Sequence, residues 1–383
     1  MRILLIHSSY RHYGGEDKVF FQERDALRAR LGADAVLEYH VSTASSSGLR
    51  ILGESLFPFV HYFRIRKLIR KHQIQLVHVH NFFPLLLGAA FRAIKDAGAV
   101  LVHTLHNYRW WCINAELYRP AVGICEKCVT TGNAWHGVRH ACYRHSRIQS
   151  FWAVWLMKVY RQAALRYIDR FIVLSPFHEQ WVQEHGIPKQ KIAYKSNWVN
   201  AKPTFTNNQR SGFVFVGRLE ALKGIEILLA AWQQMPADAM LTVVGTGSME
   251  LELRAQYEND KRIQFLGART QEETLEIIGR SRFLVQPSLW YETFGLTILE
   301  AMAQGIPVVG FDIGTRKDLI CDGETGYLCM PETLVATLQK AMSVNHYDLL
   351  SNNALAFAQQ YKEALVLDHQ IALYQEWIDQ HER

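Results

Sequence analysis

The chain has 383 residues, 49% hydrophobic and 20% charged; at about 100–200 residues per domain this is enough apolar surface for two cores, and it excludes a disordered or fibrous class. Forty-two Lys and Arg against 36 Asp and Glu give a formal +6, which suits phosphate-bearing ligands or anionic lipid and is too mild for a nucleic-acid binder. No run reaches the ~18–20 apolar residues of a spanning helix, and the opening run Met1–Ile6 is too short for a signal peptide. The expectation is a cytoplasmic protein, or one peripheral to the inner face of the membrane, with its six cysteines reduced or metal-bound.

Short apolar, β-branched runs alternate with amphipathic stretches, the pattern of parallel strands joined by helical crossovers. In the first half strands are expected at Ile3–Ile6, Leu76–Val79, Val100–Leu105 and Phe171–Leu174. Between the first two lie the Ser-rich loop Ser42–Gly48 and segment 61–72, whose five Arg and Lys stand beside Phe59, Tyr62, Phe63, Ile65, Leu68 and Ile69. That segment reads equally as an amphipathic helix with its cations in water and as a basic, aromatic-edged helix resting on an anionic membrane. The Trp-rich stretch Phe151, Trp152, Trp155, Leu156 fits either a core helix or contact with a lipid-borne partner. The polar segment Asn200–Gly212 reads as a linker. Beyond it strands are expected at Phe213–Val216, Leu241–Val244, Ile263–Leu266, Phe283–Gln286 and Val308–Phe311.

The predicted fold is therefore α/β: two Rossmann-like, doubly wound domains, residues 1–200 and 201–363, facing across a cleft lined by loops beyond the strands' carboxyl ends. Residues 364–383, apolar at mostly helical spacing, are expected to pack back on the first domain.

Two patterns carry chemistry. After Phe213–Val216 come Gly217-Arg218 and Lys223-Gly224, two cations just past a strand with glycines that permit close backbone approach. Arg218 offers a planar fork and Lys223 a point charge, a pair suited to a diphosphate; ordinary surface cations on a solvated loop give the same string. Farther on, Glu292-Thr293-Phe294-Gly295 enters a helix expected over Leu296–Gln304. Glu300 then lies on a mostly apolar stretch where an unpaired carboxylate is costly, a cost offset either by ribose hydroxyls or by a neighbouring Arg or Lys.

Five pieces in this order, Gly14-Gly15 after the first strand, His106 after Val100–Leu105, Gly217-Arg218 with Lys223-Gly224, Val244-Gly245-Thr246-Gly247, and Glu292 with Glu300, resemble the retaining GT-B glycosyltransferases often called family four. Each piece alone is weak; together, over nearly the whole chain, they are specific. The resemblance implies a GT-B fold and transfer of a sugar, with retention of anomeric configuration, from a UDP-sugar or GDP-sugar. The implied acceptor is a polysaccharide or lipid-linked glycan such as O-antigen or capsule, and no catalytic metal is expected.

By the same resemblance Arg218 and Lys223 bind the diphosphate and stabilise its charge as it leaves. Glu300 holds the ribose, and Glu292 with Phe294-Gly295 orients the donor sugar. Gly14-Gly15, at the head of a helix beginning near Glu16, brings backbone N–H groups to the phosphate or acceptor. Gly217 allows close approach, Gly245 and Leu266-Gly267 wall the base, and His106, by itself an ordinary loop histidine, touches the donor sugar near the reacting carbon. The implied chemistry is front-face attack in which the departing phosphate takes the acceptor's proton, with no carboxylate nucleophile of the glycosidase kind.

Cys112, Cys125, Cys128 and Cys142 fall within 107–146, a Trp-, Gly- and His-rich insertion expected to belong to the first domain and to shape the acceptor pocket. The Cys125-x-x-Cys128 pair with two outliers fits a closed structural zinc site, with His136, His140 and His145 as alternative ligands; a redox pair or unrelated thiols fit the same spacing. Cys321 and Cys329 read as buried thiols. Two other classes stand beside the transferase. One is a nucleotide-sugar 2-epimerase of GT-B architecture, acting on the donor alone. The other is a zinc-stabilised nucleic-acid binder, against which the mild charge and the Glu pair argue.

Overall fold

The computed structural model describes residues 1–9, 14–42, 53–54, 59–86 and 90–382, and the chain divides into two units. The first comprises Met1–Ala115, Lys127–Ser196 and Val366–Arg383; the second comprises Glu116–Glu126 and Asn197–Leu365. In chain order the first unit contributes β1 (Ile3–Ser9), β2 (Val36–Ser42), β3 (Leu76–Val79) and β4 (Val100–Thr104). A hairpin of β5 (Tyr118–Arg119) and β6 (Gly123–Ile124), which belongs to the second unit, precedes β7 (Arg170–Val173) and β8 (Ile192–Tyr194). The second unit continues with β9 (Ser211–Val216), β10 (Leu241–Val244), β11 (Ile263–Gly267), β12 (Ser281–Gln286), β13 (Val308–Phe311) and β14 (Gly326–Cys329).

Each unit has its own six-stranded sheet, ordered β2-β1-β3-β4-β7-β8 in the first and β11-β10-β9-β12-β13-β14 in the second, with every pair parallel. Central strands are covered on both faces and so read as unbroken apolar runs: Ile3, Leu4, Leu5 and Ile6 are all fully buried. Helices supply the cover through one apolar stripe, as in Ile225–Trp232, which buries Ile225, Leu228, Leu229 and Trp232. Three strands that the apolar runs do not announce, β2, β8 and β14, are all at sheet edges. An edge strand has a neighbour on one side only and tolerates polar residues, such as Glu38 and His40 in β2.

The strand orders decide where a ligand fits. In the second sheet the chain steps from β9 outward to β10 and β11, then returns to the other side of β9 for β12. Crossovers leaving in opposite directions part the loops after β9 and β12, and a crevice opens at the carboxyl edge. In the first sheet the same reversal falls between β1 and β3.

The unit boundary lies at Ser196–Asn197, and β9 already begins within the segment read as a linker. The final residues form the helix Glu363–Glu382, which buries Gln370, Tyr374, Trp377 and Ile378 and from Val366 onward clusters with the first unit. Residues 43–48 of the Ser-rich loop lie outside the described residues. At the edge of the second sheet, Gly326 pairs with Val308, and a Cβ on it would lie 2.0 Å from the Val308 carbonyl oxygen. Gly326→Ala is expected to destabilise the second unit by about 1–3 kcal/mol, read as a lower thermal midpoint; an unchanged midpoint would contradict this packing.

Candidate functional site

Backbone packing shapes the crevice of the second unit. Gly224 and Gly245 adopt φ of 70° and 130°, which L side chains rarely take. A Cβ on either would lie 1.9 Å from a carbonyl oxygen, that of Pro287 and Gly217 respectively. Freed of side chains, the loops hydrogen-bond directly: Gly217 N–H donates to Val244 O (3.0 Å), Leu219 N–H to Thr246 O (2.9 Å), Gly245 N–H to Gly267 O (2.9 Å) and Leu289 N–H to Leu222 O (2.8 Å). Gly217, Gly245 and the Leu266-Gly267 turn thus belong to one set of bonded loops.

On this frame Lys223 Nζ donates to Glu292 Oε1 at 2.7 Å, joining the loops after β9 and β12. Ser288 Oγ donates to the same oxygen at 2.7 Å, and Thr315 Oγ1 donates to the Glu292 carbonyl. Burial pushes the Glu292 carboxyl upward, but the charges of Lys223 and Arg316 and the hydrogen bonds from Lys223 and Ser288 outweigh it and hold the group at about 2. The Trp290 ring lies 5.3 Å from Lys223 Nζ. Arg218 is not part of this contact: its side chain is 55% exposed and engages Glu220 at 2.8 Å and Glu116 at 3.8 Å. Glu300 is buried on the helix Leu296–Met302 and accepts from Gln271 Nε2 at 2.9 Å. Phe294 is buried, and Gly295, at φ 139°, turns the chain into that helix. Arg316 is a functional candidate outside the motifs; fully buried, it donates to Phe311 O (2.8 Å) and Ser288 O (2.7 Å). The signal for it is the one that pointed to Arg218, a cation shortly after a strand's carboxyl end.

In the first unit, Gly14 and Gly15 are exposed at the start of the helix Gly15–Leu31; residues 10–13 of the loop before them lie outside the described residues. The Gly14 N–H is already bound, donating to Asp17 Oδ2 at 2.9 Å, and Asp17 also meets His7 Nε2 (2.9 Å) and the Ser9 hydroxyl (2.6 Å). Glu16 accepts from Asn81 (3.2 Å) and Asn107 (3.1 Å); burial and then the charge of Asp17 push its carboxyl up to about 7, the range of a proton-exchanging group. Half-buried His106 follows β4, its Nε2 2.9 Å from His80 Nδ1. Behind it stand Glu23, His78 and Lys195, all buried. These groups come from helices and strands far apart in sequence and have no local motif.

Cys112, Cys128 and Cys142 belong to the first unit and Cys125 to the second. Cys112 Sγ donates to Asn114 Oδ1 at 2.7 Å, and Cys125 Sγ accepts from Arg119 Nε at 3.2 Å. Among the described residues, the group whose ligating atoms all lie within 4.8 Å of one another is Glu23, His78 and His80, not any three cysteines. Aromatic packing contributes to the order of the insertion: Tyr108, Trp110 and Trp111 are buried, Trp111 Nε1 donates to His185 O (2.8 Å), and Arg161 Nε donates to Trp110 O (2.5 Å). Beside them lies a cavity of about 790 Å³ lined by residues that include Trp110, Trp111, Trp135, Met157, Lys158 and Arg161.

A family model described as Glycosyltransferase Family 4 matches residues 18–202, and one described as Glycosyl transferases group 1 matches residues 197–355. The D-rhamnosyltransferase WbpZ of Pseudomonas aeruginosa is 30% identical over 212 residues, 49% of this chain and 53% of that protein. The O-antigen chain mannosyltransferase C of Escherichia coli is 27% identical over 218 residues, 56% of this chain and 55% of that protein. The chain thus spans about half the length of these curated relatives. Among solved structures, Anabaena HepE in complex with UDP gives a TM-score of 0.66 at 19% identity, covering 98% of this chain and 100% of that one. Sucrose-phosphate synthase from Thermosynechococcus elongatus gives 0.71 at 19% identity, covering 98% and 99%. Two Rossmann-like domains with these neighbours make the fold GT-B.

The Lys223–Glu292 pair makes a stability prediction. Lys223→Met leaves a buried carboxylate without its cation and should cost about 3 kcal/mol, while Lys223→Met combined with Glu292→Gln should recover most of it in denaturant titrations. Glu292 is held below its ordinary 4.5, so its contribution is present above pH 4.5 and lost as the pH falls toward about 2. Glu292→Gln should flatten acid unfolding in that window, followed by circular dichroism.

Proposed function

We propose that this chain, which belongs to the GT-B glycosyltransferases of the family-four type, moves a sugar from a nucleoside-diphosphate sugar to a glycan acceptor. The observation that carries the reading is the Lys223–Glu292 contact between the loops after β9 and β12, at the point where strand order opens a crevice. Lys223 and the exposed Arg218 supply the positive charge that a departing diphosphate requires. Glu300 receives the ribose hydroxyls, and Gly217, Gly245 and Leu266 border the nucleotide. Glu292 with Phe294-Gly295 orients the sugar, His106 contacts a sugar hydroxyl near the reacting carbon, and Gly14-Gly15 borders the phosphate or acceptor. Anabaena HepE is described in complex with UDP and with UDP-glucose, which supports a UDP-sugar, with a GDP-sugar as the other donor to test.

Retention of configuration is part of the same reading. A carboxylate held at about 2 and tied to Lys223 and Ser288 is a weak nucleophile, which favours front-face attack with the leaving phosphate as base over a covalent intermediate. The reading requires no catalytic metal. The names of the rhamnosyltransferase and O-antigen mannosyltransferase relatives support a surface-polysaccharide acceptor, and nothing among the matched families favours a 2-epimerase.

A lipid-linked acceptor and peripheral contact with an anionic membrane find support in two helices. Arg147–Tyr167 exposes Ile148, Phe151, Trp155 and Val159 along one stripe, and Phe59–His72 exposes Phe59 and Phe63 among its cations. No helix among the described residues is long and apolar enough to cross a membrane.

Calorimetric titration with UDP-, GDP- and ADP-sugars should find one tight donor class, and the anomeric coupling in the product NMR spectrum reads retention. Lys223→Ala and Glu300→Ala should each lower turnover by about 10²-fold or more with circular dichroism unchanged. A wild-type rate in either variant would remove the assignment.

A further inference from the structure

Behind His106 the first unit holds a line of buried polar groups that no step above uses. It runs from His106 Nε2 to His80 Nδ1 (2.9 Å), from His80 Nε2 to Glu23 Oε1 (3.1 Å), and from Glu23 Oε2 to Lys195 Nζ (2.6 Å). Glu23, His80 and Lys195 are 0%, 2% and 1% exposed, where an unpaired charge costs several kcal/mol. Glu23 comes from the helix Gly15–Leu31, His80 follows β3 and Lys195 follows β8. The C-terminal helix adds Gln370, whose Nε2 donates to Glu23 Oε1 at 2.6 Å, and Tyr374, whose hydroxyl lies 2.5 Å from His78 Nδ1.

Donor and acceptor logic fixes the protons. A carboxylate only accepts, so His80 Nε2 carries the hydrogen it shares with Glu23. Burial, and next the charge of His78, keep His80 neutral, down at about 3; its Nδ1 is therefore an acceptor, and the contact with His106 requires His106 Nε2 to carry hydrogen. His106 is also held well below its usual value by burial first, so its Nδ1 bears no proton. The cluster Glu23, His78, His80 has the spacing of a metal triad, but the Lys195 ammonium and the Gln370 amide already engage the two carboxylate oxygens of Glu23.

We propose that Glu23, locked by Lys195, acts through His80 to hold His106 in the neutral Nε2–H tautomer, so that Nδ1 accepts a hydrogen bond from a hydroxyl of the substrate sugar. This rests on the reading that His106 contacts that sugar. A lone pair there lies correctly for a transition state whose sugar carbon gains positive charge; an imidazolium would oppose it. His106 is the residue that touches substrate, and Glu23, His80 and Lys195 are positioning residues.

The test is two-bond ¹H–¹⁵N NMR on the full chain labelled at histidine, with the His106 signals assigned by their loss in His106→Ala. The wild type should show His106 as the Nε2–H tautomer. His80→Phe should shift it toward Nδ1–H and lower kcat about ten- to hundred-fold with the donor KM little changed. His80→Asn, whose amide oxygen replaces the Nδ1 acceptor, should restore both. A wild-type His106 that is Nδ1–H or doubly protonated overturns the proposal, and this measurement needs no variant to fold beyond the one used for assignment. So does a stoichiometric divalent ion lost in His80→Phe. If His106→Ala transfers sugar at the wild-type rate, the substrate-contact reading itself fails; if His106→Ala is inactive while His80→Phe equals wild type, only the positioning inference fails.

Discussion

A carboxylate buried at the carboxyl edge of a parallel sheet must find a cation, and the second unit answers that demand with Lys223 held 2.7 Å from Glu292. The pair joins the loops that follow the neighbouring strands β9 and β12. Neither side chain reaches the other without the backbone contacts beneath them, and those exist because Gly224 and Gly245 carry no Cβ. The glycines act through distance, the charges through proximity, and the two effects depend on each other.

The first unit solves the same problem more deeply. Glu23 and Lys195 meet at 2.6 Å with no solvent access, and the surplus hydrogen-bonding capacity of the carboxylate is taken up by His80 and Gln370. Both carboxylate oxygens of Glu23 are engaged, which is what a buried charge requires. The last helix of the chain takes part in this, as Gln370 and Tyr374 reach Glu23 among groups that otherwise come from the first two hundred residues.

The cysteine-bearing insertion is divided between the two units. Cys125 is grouped with the β5–β6 hairpin in the second unit, and Cys112, Cys128 and Cys142 are grouped with the first. What orders 107–146 is the large apolar area of Tyr108, Trp110 and Trp111, with the polar tips of Trp111 and Arg161 directed to carbonyl oxygens. Aromatic side chains bury large area while their polar tips find partners, which helps to order an irregular segment.

Much of the architecture was legible in the chain itself, because a central parallel strand is buried on both faces and therefore spells out its burial as an apolar run; β1, β3, β4, β7, β9, β10, β12 and β13 announce themselves this way, and the edge strand β11 is apolar enough to be read as well. The glycine- and cation-bearing loop after β9 was legible too, since glycines and cations past a strand's end are local features, as at Gly217-Arg218 and Lys223-Gly224. Edge strands β2 and β8 were not, being relieved of the need to be apolar, nor was β14, a four-residue strand that opens on glycine. Nor were Arg316, Glu16 or the Glu23–His80–His106 line. Sequence determines which residues must be buried and which turns are possible. Only the tertiary structure decides which buried charges meet, because their partners come from segments as much as 347 residues apart, as Glu23 and Gln370 are, and no local spacing encodes that distance.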